Sequence, residues 1–250
     1  KRLAADAVIY PSGLIGELAE RGWIAPLSDD ALDSPEFARR DIFDHLRQHE
    51  TVWGEQVYAV PLGSPTLTLI YRPDLLEKLG VKPPENWQQY GELCERLSKS
   101  RELLLGAENG SGDWHAVAEP LGPGWASQVL LARAAAYARH RSYFATLFDL
   151  QSMDPLIASP PFVKALEELV AAAKFGAPDS TKLTPAEVWK LLGSGRCAMG
   201  LTWPSTAAAS ADEGAANSSR SGLLAAAELP ASAQAYHVGD SQWQARETTE

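Results

Sequence analysis

The chain has 250 residues, enough to bury a core without disulfide or metal staples. Its 45% hydrophobic, 22% charged and 8% aromatic residues exclude a disordered, collagen-like or coiled-coil chain. The formal charge of −10, from 32 acidic and 22 basic residues, repels phosphate and argues against nucleic acid or an anionic membrane surface as partner. No apolar run reaches the ~18–20 residues of a membrane span. Cys94 and Cys197 are too few for a disulfide scaffold and too isolated for zinc; beside Leu93, Ala198 and Met199 they read as small buried thiols. The chain opens on Lys1-Arg2-Leu3, with neither initiator Met nor signal peptide, and reads as a processed or excised piece whose targeting segment is absent.

The first 65 residues alternate strand and helix. Ala7–Tyr10 reads as a short apolar strand ending at Pro11-Ser12-Gly13. Leu14, Ile15, Leu18 and Ala19 stand at helical spacing over Leu14–Arg21, and Gly22 is a natural stop. A more polar helix is expected over Glu36–His49, and Trp53-Gly54-Glu55-Gln56 reads as a turn feeding a strand over Tyr58–Pro61. Leu67–Tyr71 is rich in β-branched and aromatic residues and reads as a strand, followed by a helix to Leu79 that Gly80 stops. Trp87, Tyr90, Leu93, Cys94 and Leu97 form one apolar stripe of a helix over Trp87–Ser98. Leu103–Ala107 reads as a buried strand and the glycine-rich stretch 108–124 as a long exposed loop. Helices are expected near 125–139, 160–175 and 184–193, then a strand over Cys197–Thr202. Residues 205–221 are a low-complexity surface segment, Leu223–Leu229 is a last apolar run, and the rest is a polar tail. Mixed strands and helices across more than one lobe indicate an α/β architecture.

The run Trp53-Gly54-Glu55-Gln56-Val57-Tyr58-Ala59-Val60-Pro61, through Leu67–Tyr71 and Arg72-Pro73-Asp74-Leu75-Leu76-Glu77-Lys78-Leu79-Gly80 to Pro83-Pro84-Glu85-Asn86-Trp87, carries a family likeness. It resembles the extracellular solute-binding proteins of ABC importers, in the sugar-binding group that includes maltose-binding protein. Pro11–Leu27, Ser159–Leu166 and Leu191–Trp203, with Gly195-Arg196-Cys197-Ala198-Met199, are similar to further family segments in the same order. The resemblance implies a two-lobed, type II periplasmic-binding-protein-like α/β fold with a hinge between the lobes. Residues 1–64 would belong to lobe one, 65–222 to lobe two, and 223–250 would return toward lobe one. It further implies a monomer that binds a sugar or oligosaccharide between its lobes and delivers it to a membrane permease. The location implied is periplasmic or extracellular, lipid anchoring included, with no cofactor and no metal. Relatives are longer at both ends, so the chain reads as an excerpt of the family.

Sugars present apolar C–H faces edged with hydroxyls, so their sites combine flat aromatic surfaces with a few fixed polar groups. Trp203, which follows a strand, and Trp125, which follows Gly122-Pro123-Gly124, are the leading aromatic candidates. Trp114 is a further candidate from an exposed loop, while Trp23, Trp53, Trp87 and Trp189 read as packing residues. Ser12, Ser64 and Thr66 are candidate hydroxyl partners from strand and crossing ends, and Asp113 and Glu119 candidate acceptors that otherwise read as solvated loop carboxylates.

Enzyme signatures are weak. His45 and His49 stand at i, i+4, yet among charged neighbours with no third ligand they read as a solvated helix face. There is no Gly-x-Ser-x-Gly elbow, Walker loop or Gly-x-Gly-x-x-Gly motif. The competing enzyme reading is a carbohydrate-active hydrolase using Asp113 and Glu119; a ligand-sensing relative outside transport is a third reading.

Overall fold

The chain divides between Pro65 and Thr66. The computed structural model describes residues 5–63, 66–105, 113–143, 145–203 and 224–246. In the first unit an extended stretch leads through the turn Ser12–Leu14 into helix α1 (Ile15–Glu20), which Gly22 ends at φ 62°. Helix α2 (Asp29–Leu32) starts at Ser28, whose hydroxyl accepts from the Ala31 amide at 3.4 Å. Helix α3 (Asp44–His49) and the hairpin of β1 (Val52–Trp53) and β2 (Gln56–Val57) complete the unit.

Three expectations are corrected here. The single helix over Glu36–His49 is broken, because Ala38 takes a left-handed φ of 47° between two 3₁₀ turns, Pro35–Phe37 and Arg39–Asp41. Neither Ala7–Tyr10 nor Tyr58–Pro61 forms a strand: a strand needs a paired neighbour, neither has a ladder among the described residues, and Ile9 stays 87% exposed.

In the second unit β3 (Thr68–Tyr71) runs straight into α4 (Pro73–Leu79), with proline at its first turn and Gly80 past its end at φ 64°. The side chain of Asn86 caps α5 (Trp87–Lys99), whose stripe Trp87, Tyr90, Leu93, Cys94 and Leu97 is entirely buried. Next come α6 (Arg101–Leu105), β4 (His115–Ala118), α7 (Ala126–Ala138), α8 (Pro160–Ala173) and α9 (Pro185–Gly193). Thr184 and Glu187 form a reciprocal capping box on α9. Strand β5 (Cys197–Thr202) is buried at every residue, and β6 (Ala225–Ala227), β7 (Gln234–His237) and β8 (Gln242–Ala245) follow. The main sheet has the order β4-β5-β3-β6, with β4 parallel to β5 and the other pairs antiparallel. Helix α9 packs Val188 and Leu192 against Ile70, Ala118 and Cys197, while a larger core joins the sheet to α4, α5, α7 and α8. Among the described residues no helix is long and apolar enough to cross a membrane.

Further corrections fall in this unit. Residues 101–105 are helical and Leu103 is 70% exposed, so the buried strand expected there is absent from the described residues; Gly106 and Ala107 lie outside them. Leucine is a strong helix former, and no strand pairs with this segment among the described residues. Inside the expected loop 108–124, His115–Ala118 is a buried strand whose partner, β5, stands far along the chain and leaves no local pairing signal. The polar tail contains the β7–β8 hairpin, where Tyr236 and Trp243 meet edge to face at 5.4 Å and Trp243 meets Tyr137 of α7 at 5.9 Å. Within this unit β6 pairs with β3, and β7 packs on α7. The low-complexity stretch 205–221 lies outside the described residues.

Cys94 and Cys197 are both 0% exposed, and burial pushes both thiols above their ordinary pKa. A neutral disulfide reagent at about pH 8 is therefore expected to leave both unmodified in the native chain and to titrate both in denaturant. Stoichiometric reaction of the native chain would mean that the core around α5 and β5 opens.

Candidate binding site

Because β4 and β5 run parallel, with Val117 opposite Met199 and Ala118 opposite Gly200, their carboxyl ends open on one edge of the sheet. In open α/β sheets that edge is where ligands bind. Beyond β4 the chain passes through buried Glu119, Pro120, Leu121 and Gly122 and delivers Trp125 to the start of α7. Beyond β5 comes Trp203. The two half-buried rings meet there, with centroids 5.1 Å apart and planes tilted by 50°. Strand β3 enters from the same edge, since Thr68 pairs with Thr202, so exposed Thr66 stands there too and its carbonyl accepts from the Thr68 hydroxyl at 2.9 Å. The structure thus gathers Trp125, Trp203 and Thr66 on one edge.

Each tryptophan is held from behind. The Trp189 indole N–H donates to the Trp203 carbonyl at 2.9 Å, a role that reading Trp189 as a packing residue missed; an apolar stripe does not show what the indole nitrogen does. On the other side, the Gly122 amide donates to the Leu183 carbonyl at 2.8 Å, and the Trp125 amide to the Gly122 carbonyl at 3.0 Å. A Cβ at Gly122 would lie 2.8 Å from that Leu183 oxygen and 3.0 Å from that of Lys182. Glycine is therefore required for the approach that carries Trp125 to the edge.

Glu119 is corrected from a solvated carboxylate to a buried one, 4% exposed. Arg133 of α7 donates to its two oxygens at 2.9 and 3.1 Å, and the Tyr90 hydroxyl to one of them at 2.8 Å. Burial opposes the charge on Arg133, but the Glu119 carboxylate more than offsets this, so the guanidinium pKa sits above its ordinary value.

Asp113 and Trp114 precede β4 and stand at the opposite end of that strand from Glu119 and Trp125. Asp113 is exposed; its carboxylate pairs with Arg196 and lies 2.8 Å from His115 Nε2. Burial and then the charge of Arg101 push His115 below its ordinary pKa. Trp114 is corrected from an exposed-loop residue to a core one, 7% exposed, because it leads directly into the buried strand. Asp113 and Glu119 are separated by the whole of β4, roughly 15–20 Å of extended chain. Glycoside hydrolysis requires carboxyls about 5–9.5 Å apart, so this pair is not arranged for it.

On the first unit, Ser12 is exposed and borders a crevice of about 610 Å³ with Glu17, Glu20, Arg21, His49 and Trp53. Trp23 and Trp53, read as packing residues, are 40% and 44% exposed, and the Trp53 ring lies against Gly16. Ser64 lies outside the described residues. The rings of His45 and His49 are 4.9 Å apart, and no group of three His, Cys, Asp or Glu that could hold a metal occurs among the described residues.

Residues 2–220 match the family model described as bacterial extracellular solute-binding protein. A mannitol-binding protein of Pseudomonas aeruginosa is 27% identical over 195 residues, covering 76% of this chain and 39% of that protein. An ABC transporter solute-binding protein of Agrobacterium vitis S4, solved with bound D-mannitol, superposes at a TM-score of 0.68 with 23% identity, over 89% of this chain and 50% of that one. One from Agrobacterium radiobacter K84, in complex with ribitol, superposes at 0.72 with 18% identity, over 92% of this chain and 53% of that one. These likenesses show the expected α/β fold, and the chain spans about half the length of the relatives it matches or less.

Gly122→Ala is expected to lower stability by about 1–3 kcal/mol, measured by urea unfolding, through the clash with Leu183 and Lys182. Gly91→Ala, where a Cβ would meet nothing within 4 Å inside α5, should instead be neutral or stabilising by up to about 1 kcal/mol.

Proposed function

This chain belongs to the bacterial extracellular solute-binding protein family, and we propose that it binds a small polyhydroxylated solute, a sugar or sugar alcohol, and hands it to the permease of an ABC importer. The observation that carries this reading is the pair of half-buried indoles, 5.1 Å apart, on the carboxyl edge of β4 and β5. Two flat faces at an angle match the C–H surfaces of such a solute, and in our reading the Thr66 hydroxyl meets its oxygens. Ser12 and Ser64 are proposed as further hydroxyl contacts of a solute, and Asp113 and Trp114, at the far end of β4 from the indole pair, as the remaining candidates. The relative from P. aeruginosa, named for mannitol, supports a sugar alcohol as the first solute to try. In this reading the protein acts as a monomer outside the cytoplasm, in the periplasm or on the cell surface by a lipid anchor, and performs no chemical step of its own.

Thermal-shift and calorimetric titrations with D-mannitol, ribitol and maltose, set against amino acids and inorganic phosphate, test it. A polyhydroxylated solute is expected to raise the melting temperature, because a ligand of the folded state stabilises it by mass action. Trp203→Ala should weaken that binding at least about tenfold, or about 1.4 kcal/mol. A shift with amino acids or phosphate alone, or full affinity in Trp203→Ala, would overturn the assignment.

A further inference from the structure

We infer that the buried Glu119–Arg133 pair is the positioning device of the aromatic edge: it sets where Trp125 stands relative to Trp203 without itself touching solute. The inference rests on reading those two indoles as the solute platform. Glu119 is the first residue beyond β4, and Arg133, 14 residues later, lies inside α7, so their bond closes the segment that contains Trp125. Both carboxylate oxygens are engaged at a site 4% exposed, so Glu119 is turned to the core and not to a solute. Arg133 is 1% exposed, and its guanidinium stacks 4.0 Å from the centroid of Trp87 on α5. A single charged group thereby ties β4, α5 and α7 together at one point.

The rest of the connection leaves little freedom between that point and the indole. Pro120, Leu121 and Gly122 are buried, and Gly122 is bonded to Leu183. The Trp125 carbonyl accepts from Val129, so Trp125 rides on the same helix as Arg133, a little over two turns away. Any slide or rotation of α7 against the sheet therefore moves Trp125 relative to Trp203, whose backbone is held separately by Trp189. An apolar filling of the same volume would stabilise the core about as well as a buried ion pair does. What the pair adds is a fixed distance and direction.

The test reads the indole pair directly. Two indoles this close couple electronically and give an exciton signal in far-ultraviolet circular dichroism, which Trp203→Phe should abolish and so assign. In the triple variant Tyr90→Phe, Glu119→Leu, Arg133→Met every charge and hydroxyl of the cluster becomes apolar. It is expected to melt cooperatively yet to lose at least about half of the exciton signal and to bind D-mannitol or ribitol about tenfold more weakly. Arg133→Lys keeps the charge but loses the planar guanidinium that stacks on Trp87, and should lose part of the signal with little change in melting temperature. It decides the question if the triple variant does not fold. A native exciton signal in either folded variant overturns the inference and leaves the pair as core filling. If the unmodified chain binds none of the solutes, the functional reading fails by itself, because the exciton signal still reports whether the pair positions Trp125.

Discussion

The second unit depends on the parallel pairing of β4 with β5. A parallel pair cannot be closed by a tight turn; the chain must travel away and return, and the sheet must be covered on both faces. Here the excursion supplies α7, α8 and α9, and β5 returns with all of its residues buried. Gly200 makes the fit possible at the centre. A Cβ there would come within 2.9 Å of the Ala118 carbonyl and 3.0 Å of Val188, so a larger residue would force apart both the strand pair and α9. Once the pairing is set, the two strands must release their chains at the same edge, and the residues they release are the ones that carry Trp125 and Trp203.

Electrostatics in this chain falls into two classes. Ion pairs such as Lys99–Glu95 and Arg21–Glu17 lie in solvent, where screening and side-chain entropy leave them worth little. The pair Arg133–Glu119 lies at the junction of three elements, with the Glu119 carboxylate accepting from both Arg133 and the Tyr90 hydroxyl. Removing one partner would strand a charge in the core, so the three elements are held to one arrangement in a way that dispersion between aliphatic side chains does not enforce. Trp125, on the aromatic edge, stands six residues beyond Glu119 and eight before Arg133.

The helices were legible because their signals are local. Pro73 and Gly80 bracket α4, the 3.6-residue stripe of α5 runs from Trp87 to Leu97, and Thr184-Pro185 with Glu187 opens α9. Strand β5 was legible as well, since a short apolar run between Gly195 and Trp203 has few alternatives. Where the reading failed, the deciding partner lay far off in the chain or the local signal was divided. Strand β4 has its partner beyond three helices. The β7–β8 hairpin rests on Tyr236 and Trp243 in otherwise polar strands, and the break at Ala38 depends on one backbone angle.

The same division runs through the site. Residue types, their places at the ends of elements and the order of the family-like segments are properties of the chain taken one window at a time. They determined that this is an α/β solute-binding protein with tryptophans at Trp125 and Trp203 available for an apolar face. Tertiary structure alone decided that those two indoles meet, that Asp113 and Trp114 stand at the other end of β4, and that Glu119 is a buried anchor. The physical reason is that burial and contact are properties of pairs. A carboxylate in a glycine-rich stretch looks solvated until the strand pairing carries it against a guanidinium two turns into the following helix.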